Sequence, residues 1–174
     1  IEKKKEKIEK VSGDGDYGTF LSYTQEKTEK TPGWQVLEVP SKRFLLVTSS
    51  EDNRFLKDVI TRLEKSIDLY EKDFPPVIKT DFVSIVRVCG THEEFMRYGD
   101  TSPNTAGFFN PGSKELVLYD NKERNRNETF AVMSHEAFHQ YCHFLFNEAE
   151  AHRWFDEGQG DYYGCFDMDK KTPK

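Results

Sequence analysis

"MSHEAFHQYCHF", residues 133–144, places histidines at 135, 139 and 143, four apart each time. On a helix, positions i and i+4 share a face and lie about 6 Å apart along the axis. His135 and His139 can therefore aim their rings at one point, and Glu136 projects beside it. Val132, Met133, Ser134, Ala137 and Phe138 are uncharged, as a helix buried beneath a sheet requires. The pattern is H-E-x-x-H, two imidazoles able to bind a metal and a carboxylate able to act as a base next to it. The plain alternative is an ordinary helix that happens to carry two histidines.

His143 cannot complete such a site. It lies eight residues from His135, roughly 12 Å along the axis, whereas zinc–nitrogen bonds are about 2 Å. It is expected to pack or cap the helix end. The metzincin solution fails too, because it needs a glycine at 142 and a histidine at 145, where this chain has Cys142 and Leu145. A third ligand must come from another element, and "HRWFDEGQGDYYG" (152–164) offers one. Glu157 lies 18 positions after His139, room for one helix to end, turn and return antiparallel. Taken alone it would be an exposed acid at a helix start. Asp161, four residues on, shares its helical face and can accept the second ring N–H of a ligand histidine. Two histidines, one glutamate, an open position and Glu136 as base make a complete catalytic zinc set.

H-E-x-x-H followed about eighteen residues later by W-x-x-E-G, then an acid and aromatics, resembles the gluzincin zinc peptidases. It is especially similar to the small peptidase-MA-like domains. The segments are "HEAFHQY" and "RWFDEGQGDYYG", and "GFFNPGSKELVLYD" resembles the strand pair that precedes the zinc helix in those domains. The resemblance covers roughly residues 43–166, and its specificity rests on 135–161. It implies one Zn2+ held by His135, His139 and Glu157, Glu136 as general base, and Asp161 behind a ligand histidine. It also implies an edge strand through Gly107, Phe108 and Phe109 along which an extended peptide or protein substrate could lie. Gluzincins further use a Tyr or His to stabilise the oxyanion, and Tyr162, Tyr163 and His152 are the nearby candidates; the tyrosines could equally pack the helix.

Outward from this core the chain has 174 residues, enough for one ordinary domain. A net charge of −6 gives no general electrostatic reason to bind nucleic acid or an anionic membrane. No apolar run approaches the roughly 18 residues that membrane insertion needs. Residues 1–33, opening with "IEKKKEKIEK", read as a charged, flexible segment, and 34–174 as the catalytic domain. Its C-terminal "DMDKKTPK" reads as a frayed end or a cut within a longer protein. "WQVLEV" (34–39) and "RFLLVTS" (43–49) form a hairpin or two successive strands. Ser49 or Ser50 caps a long amphipathic helix over 51–72, stopped by "FPP". Residues 81–90 read as a buried strand, 92–99 as a short helix with a surface His92, and 106–120 as a hairpin around Asn-Pro-Gly-Ser. Helices are expected over 127–146 and from near 156.

Strands first and helices last indicate an α+β fold. The expected form is a small antiparallel or mixed sheet with an edge hairpin, packed on the long helix and the H-E-x-x-H helix. A second helix then carries the third ligand. Cys89, Cys142 and Cys165 form no metal knuckle; Cys142 and Cys165 could meet across antiparallel helices but read as buried thiols. Asn127-Glu128-Thr129 matches a glycosylation sequon, a tripeptide common by chance. Compartment is left open, with the resemblance leaning toward an extracytoplasmic setting. The function expected is zinc-dependent peptide hydrolysis. The alternative, from a different class, is a zinc-stabilised module that binds a peptide or partner without cleaving it.

Overall fold

β-branched and leucine-rich runs supply the strands of a five-stranded mixed sheet in a computed structural model of the chain. The structure describes residues 17–76, 83–122, 125–147, 149–167 and 172–173. In order across the sheet, β1 (Gln35–Glu38) pairs antiparallel with β2 (Phe44–Thr48), which pairs parallel with β3 (Ser84–Cys89). Next, β5 (Glu115–Tyr119) lies parallel to β3, and β4 (Gly107–Asn110) closes the sheet as an antiparallel edge. The β4–β5 turn is fixed by Asn110, whose Oδ1 accepts from the N–H groups of Gly112 and Ser113. The fold is α+β.

Alternation along the strands divides the sheet into two packed faces. Phe44, Leu46, Val86, Val88, Leu116 and Leu118 face α2 (Asn53–Asp73) and α4 (Arg126–Leu145) in the main core. Cys89, Val117 and Tyr119 face α3 (His92–Gly99) across Phe95. The sequence reads His92 as a surface residue, but its ring is half-buried, 4.7 Å from that of Tyr119. Residues 17–29, placed by the sequence in the charged N-terminal segment, form helix α1 (Tyr17–Glu29), packed on β1. Its apolar residues are too scattered for a clear helical stripe, so periodicity does not reveal it. The opening run 1–10 lies outside the described residues. So does the C-terminal stretch, apart from the short pair β6 (Phe166–Asp167) and β7 (Thr172–Pro173).

The cap of α2 is Asp52 rather than Ser49 or Ser50. Its Oδ1 accepts from the N–H groups of Arg54 and Phe55. Both serines are engaged elsewhere: Ser49 donates to Glu94, and the Ser50 hydroxyl accepts from Asp52 N–H. Helix α5 (Arg153–Gly164) starts three residues before the expected position, because Phe155 buries its ring against Phe74 and Phe138. Among the described residues no helix is long and apolar enough to cross a membrane.

An aromatic cluster joins α2, α4 and α5. Phe138 is fully buried, with its ring 5.4 Å from Tyr70, 5.1 Å from Tyr163 and 5.8 Å from Phe74. Tyr70 donates to the Ser134 carbonyl at 2.6 Å, and Tyr163 to Asp73 at 2.8 Å. Replacing Phe138 by Ala should cost about 3–5 kcal/mol by urea unfolding. A loss under about 1 kcal/mol would show that these three helices do not share one core.

Arg126 locks the start of α4, bonding both oxygens of the buried Asp120 at 2.9 Å and Asp52 at 2.5 Å. The Phe55 N–H and Arg126 hold the Asp52 carboxyl down at about 2. A carboxyl lowered on folding adds stability above its unfolded pKa of about 3.9, and that stability fades as pH falls toward 2. The wild type should therefore lose stability more steeply between about pH 4 and pH 2 than Asp52→Asn, measured by denaturation midpoints. Parallel curves would mean that Asp52 carries no folded-state shift.

Candidate metal centre

Helix α4 runs under the sheet with one face turned toward α5, and Glu136, His139 and His143 share a side of it. Its cap is Asn125, whose side chain accepts from Asn127 N–H. Across a short connection α5 returns antiparallel, and this packing brings the three ligand candidates together. One donor atom each from His135, His139 and Glu157 lies within 4.8 Å of the others. The two Nε2 atoms are 3.0 Å apart, and Glu157 Oε2 lies 3.6 Å from that of His135 and 3.8 Å from that of His139. Donors bound to a tetrahedral zinc at about 2.0–2.2 Å stand roughly 3.3–3.5 Å from one another. The observed triangle brackets that spacing, so these residues fit the ion.

Carboxylates stand behind both imidazoles. Asp161 Oδ1 is 3.2 Å from His135 Nδ1, although its side chain is 81% exposed. Asp156 Oδ1 is 2.9 Å from His139 Nδ1 but not in line for a hydrogen bond with it. An acid thus stands near each Nδ1, and the two Nε2 atoms face one another. Asp156 was not singled out in the sequence; it precedes Glu157 and looks like part of an ordinary acidic helix start. The cue was that the second histidine needs a partner of its own.

Glu136 projects into the same space. Burial pushes its carboxyl above the usual value, while His139 and the Phe109 N–H pull it back. That N–H donates to Glu136 Oε2 at 3.0 Å. Phe109 thus turns its N–H out of the β4–β5 ladder and toward α4, and by strand alternation Gly107 also presents its backbone on the outer edge. Gly107 is buried and has room only for hydrogen, since a Cβ there would come within 2.9 Å of Val132. Phe108 packs on the opposite face with Phe95.

The remaining site candidates separate. Tyr163 is 1% exposed, and its hydroxyl is engaged by Asp73, within the aromatic core rather than at the donor triangle. Tyr162 is exposed and meets Tyr163 edge-on at 5.1 Å. His152 sits at the cap position of α5 without a side-chain cap bond, 6.0 Å from the Trp154 ring. His143 packs on Phe109 with ring centroids 5.4 Å apart. Cys142 is buried and Cys165 exposed, both unbridged; the sequence reads both as buried thiols, but Cys165 lies just past the end of α5. Burial pushes the Cys142 thiol up, and the Cys89 thiol up to about 12, so neither is poised as a nucleophile.

No known family model and no curated protein matches the chain.

If Asp156 orients His139, Asp156→Asn should weaken zinc binding by about 10–100-fold in a chelator-competition titration. An affinity within twofold of the wild type would remove Asp156 from the site.

Proposed function

We propose that the chain is a zinc-dependent peptidase of the gluzincin type. The observation that carries this reading is the position of Glu136. Its carboxyl is close enough to His139, His135 and Glu157 to feel their charges, and it is tied to the edge of the sheet through Phe109 N–H at 3.0 Å. A purely structural metal site has no use for a carboxylate there.

His135, His139 and Glu157 would hold the zinc, which would supply Lewis acidity for activating water and polarising a carbonyl. Glu136, beside those donors, would serve as the general base and return the proton to the leaving amine. Edge strand β4 lies beside Glu136 and would take an extended peptide as a further strand once the Glu136 carboxylate releases the Phe109 N–H that it now holds. That pairing holds the scissile bond next to Glu136, which supplies orientation before any chemistry begins. Asp156 and Asp161 stand behind the two imidazoles, where they could orient them once a metal is bound.

Glu136→Gln should retain about one zinc per chain and lower peptide hydrolysis by at least about a hundredfold, followed by mass spectrometry on a peptide library. Undiminished cleavage would remove Glu136 as the base. The second reading, a zinc-stabilised peptide-binding module, is favoured by one observation: the Tyr163 hydroxyl is taken up by Asp73 in the core. Under that reading the zinc-loaded wild type leaves the library intact while retaining peptides from it.

A further inference from the structure

We infer that Gly160 is a positioning residue for the ligand ring of His135, and that its lack of a side chain serves metal binding rather than helix formation. The inference rests on the zinc reading above. A Cβ built on Gly160 would lie 3.0 Å from Cε1 and 3.1 Å from both Nδ1 and Nε2 of His135. Three atoms of a single ring at nearly one distance mean that the α5 backbone lies flat across the imidazole face. One turn on, a Cβ on Gly164 would meet the Ala131 carbonyl oxygen at 3.2 Å and His135 Cβ at 3.4 Å. The two glycines thus set α5 against α4 along one line, at Ala131 and His135.

The ring has little room to yield. Asp161 stands 3.2 Å from its Nδ1, and His139 crosses it nearly edge-on with centroids 4.7 Å apart. A methyl group at 160 must therefore tilt the imidazole or lift α5, which carries Glu157 and Asp161 on the same helix. Either shift amounts to a few tenths of an ångström, comparable to the tolerance of a zinc–ligand distance. The effect should fall on the donor triangle and not on the fold, because alanine is a better helix former than glycine. Gly158 supplies the internal control: on the same helix, a Cβ there meets nothing within 4 Å.

The test is a zinc titration against a chromogenic chelator for the wild type, Gly158→Ala and Gly160→Ala, with thermal melts of the three metal-free proteins. Gly158→Ala should bind zinc as the wild type does. Gly160→Ala should bind about tenfold or more weakly, with a metal-free melting point no lower than wild type and an altered visible spectrum of the cobalt(II)-loaded protein. Zinc affinity of Gly160→Ala within twofold of wild type would overturn the inference and leave the zinc reading standing. Folded wild type and Gly158→Ala that both fail to bind zinc would overturn the reading itself, and the inference with it. If Gly160→Ala does not fold, proton NMR of the wild type decides. Gly160 resonances should be shifted by the His135 ring current and should move on zinc addition, with those of Gly158 unaffected. Unshifted Gly160 resonances would overturn the inference.

Discussion

Helix α5 approaches α4 to backbone distance because Gly160 and Gly164 carry no side chain, and that approach fixes where every donor of the site falls. The apolar counterpart lies on the far side of the same helix pair. There Phe138, Tyr163, Phe155, Phe74 and Tyr70 interlock, with Tyr70 and Tyr163 each spending a hydroxyl on α4 or α2. Aromatic burial of this kind is favourable, and it acts on the helices that carry His135, His139, Glu157, Asp156 and Asp161. Packing and site are two faces of one interface.

The polar face is costly on its own. Two imidazole nitrogens stand 3.0 Å apart with the half-buried Asp156 behind one ring and the more exposed Glu157 and Asp161 at the rim. The sheet supplies the rigidity this demands: β5 is buried along its whole length, and Arg126 ties the start of α4 to Asp120 at its end. Edge strand β4 is then tied to α4 through the Phe109 N–H, which donates to Glu136.

Much of this arrangement was legible in the sequence because it is local. The H-E-x-x-H spacing and the Asn-Pro-Gly-Ser hairpin act over a few residues, and the stripe of α2 and the 18 positions between His139 and Glu157 are still readable along one stretch of chain. What stayed hidden depends on tertiary contact. Ser49 and Ser50 look like caps until Glu94 and Asp52 are seen to occupy them. Tyr163 looks like a neighbour of the metal ligands until its helix face is known, and that face points at Asp73. Gly160 looks like a flaw in a helix, and its reason is the imidazole lying across it. Asp156 needed the rotation of α5 about its axis, which no spacing rule gives.

The central claim is that His135, His139 and Glu157 form one three-ligand zinc site, and metal content tests it most directly. Elemental analysis of the purified wild type and of Glu157→Ala, each dialysed against trace zinc, should find about one zinc per wild-type chain and little in the variant. A folded wild type that takes up no zinc, or a Glu157→Ala protein that retains it fully, would contradict the account.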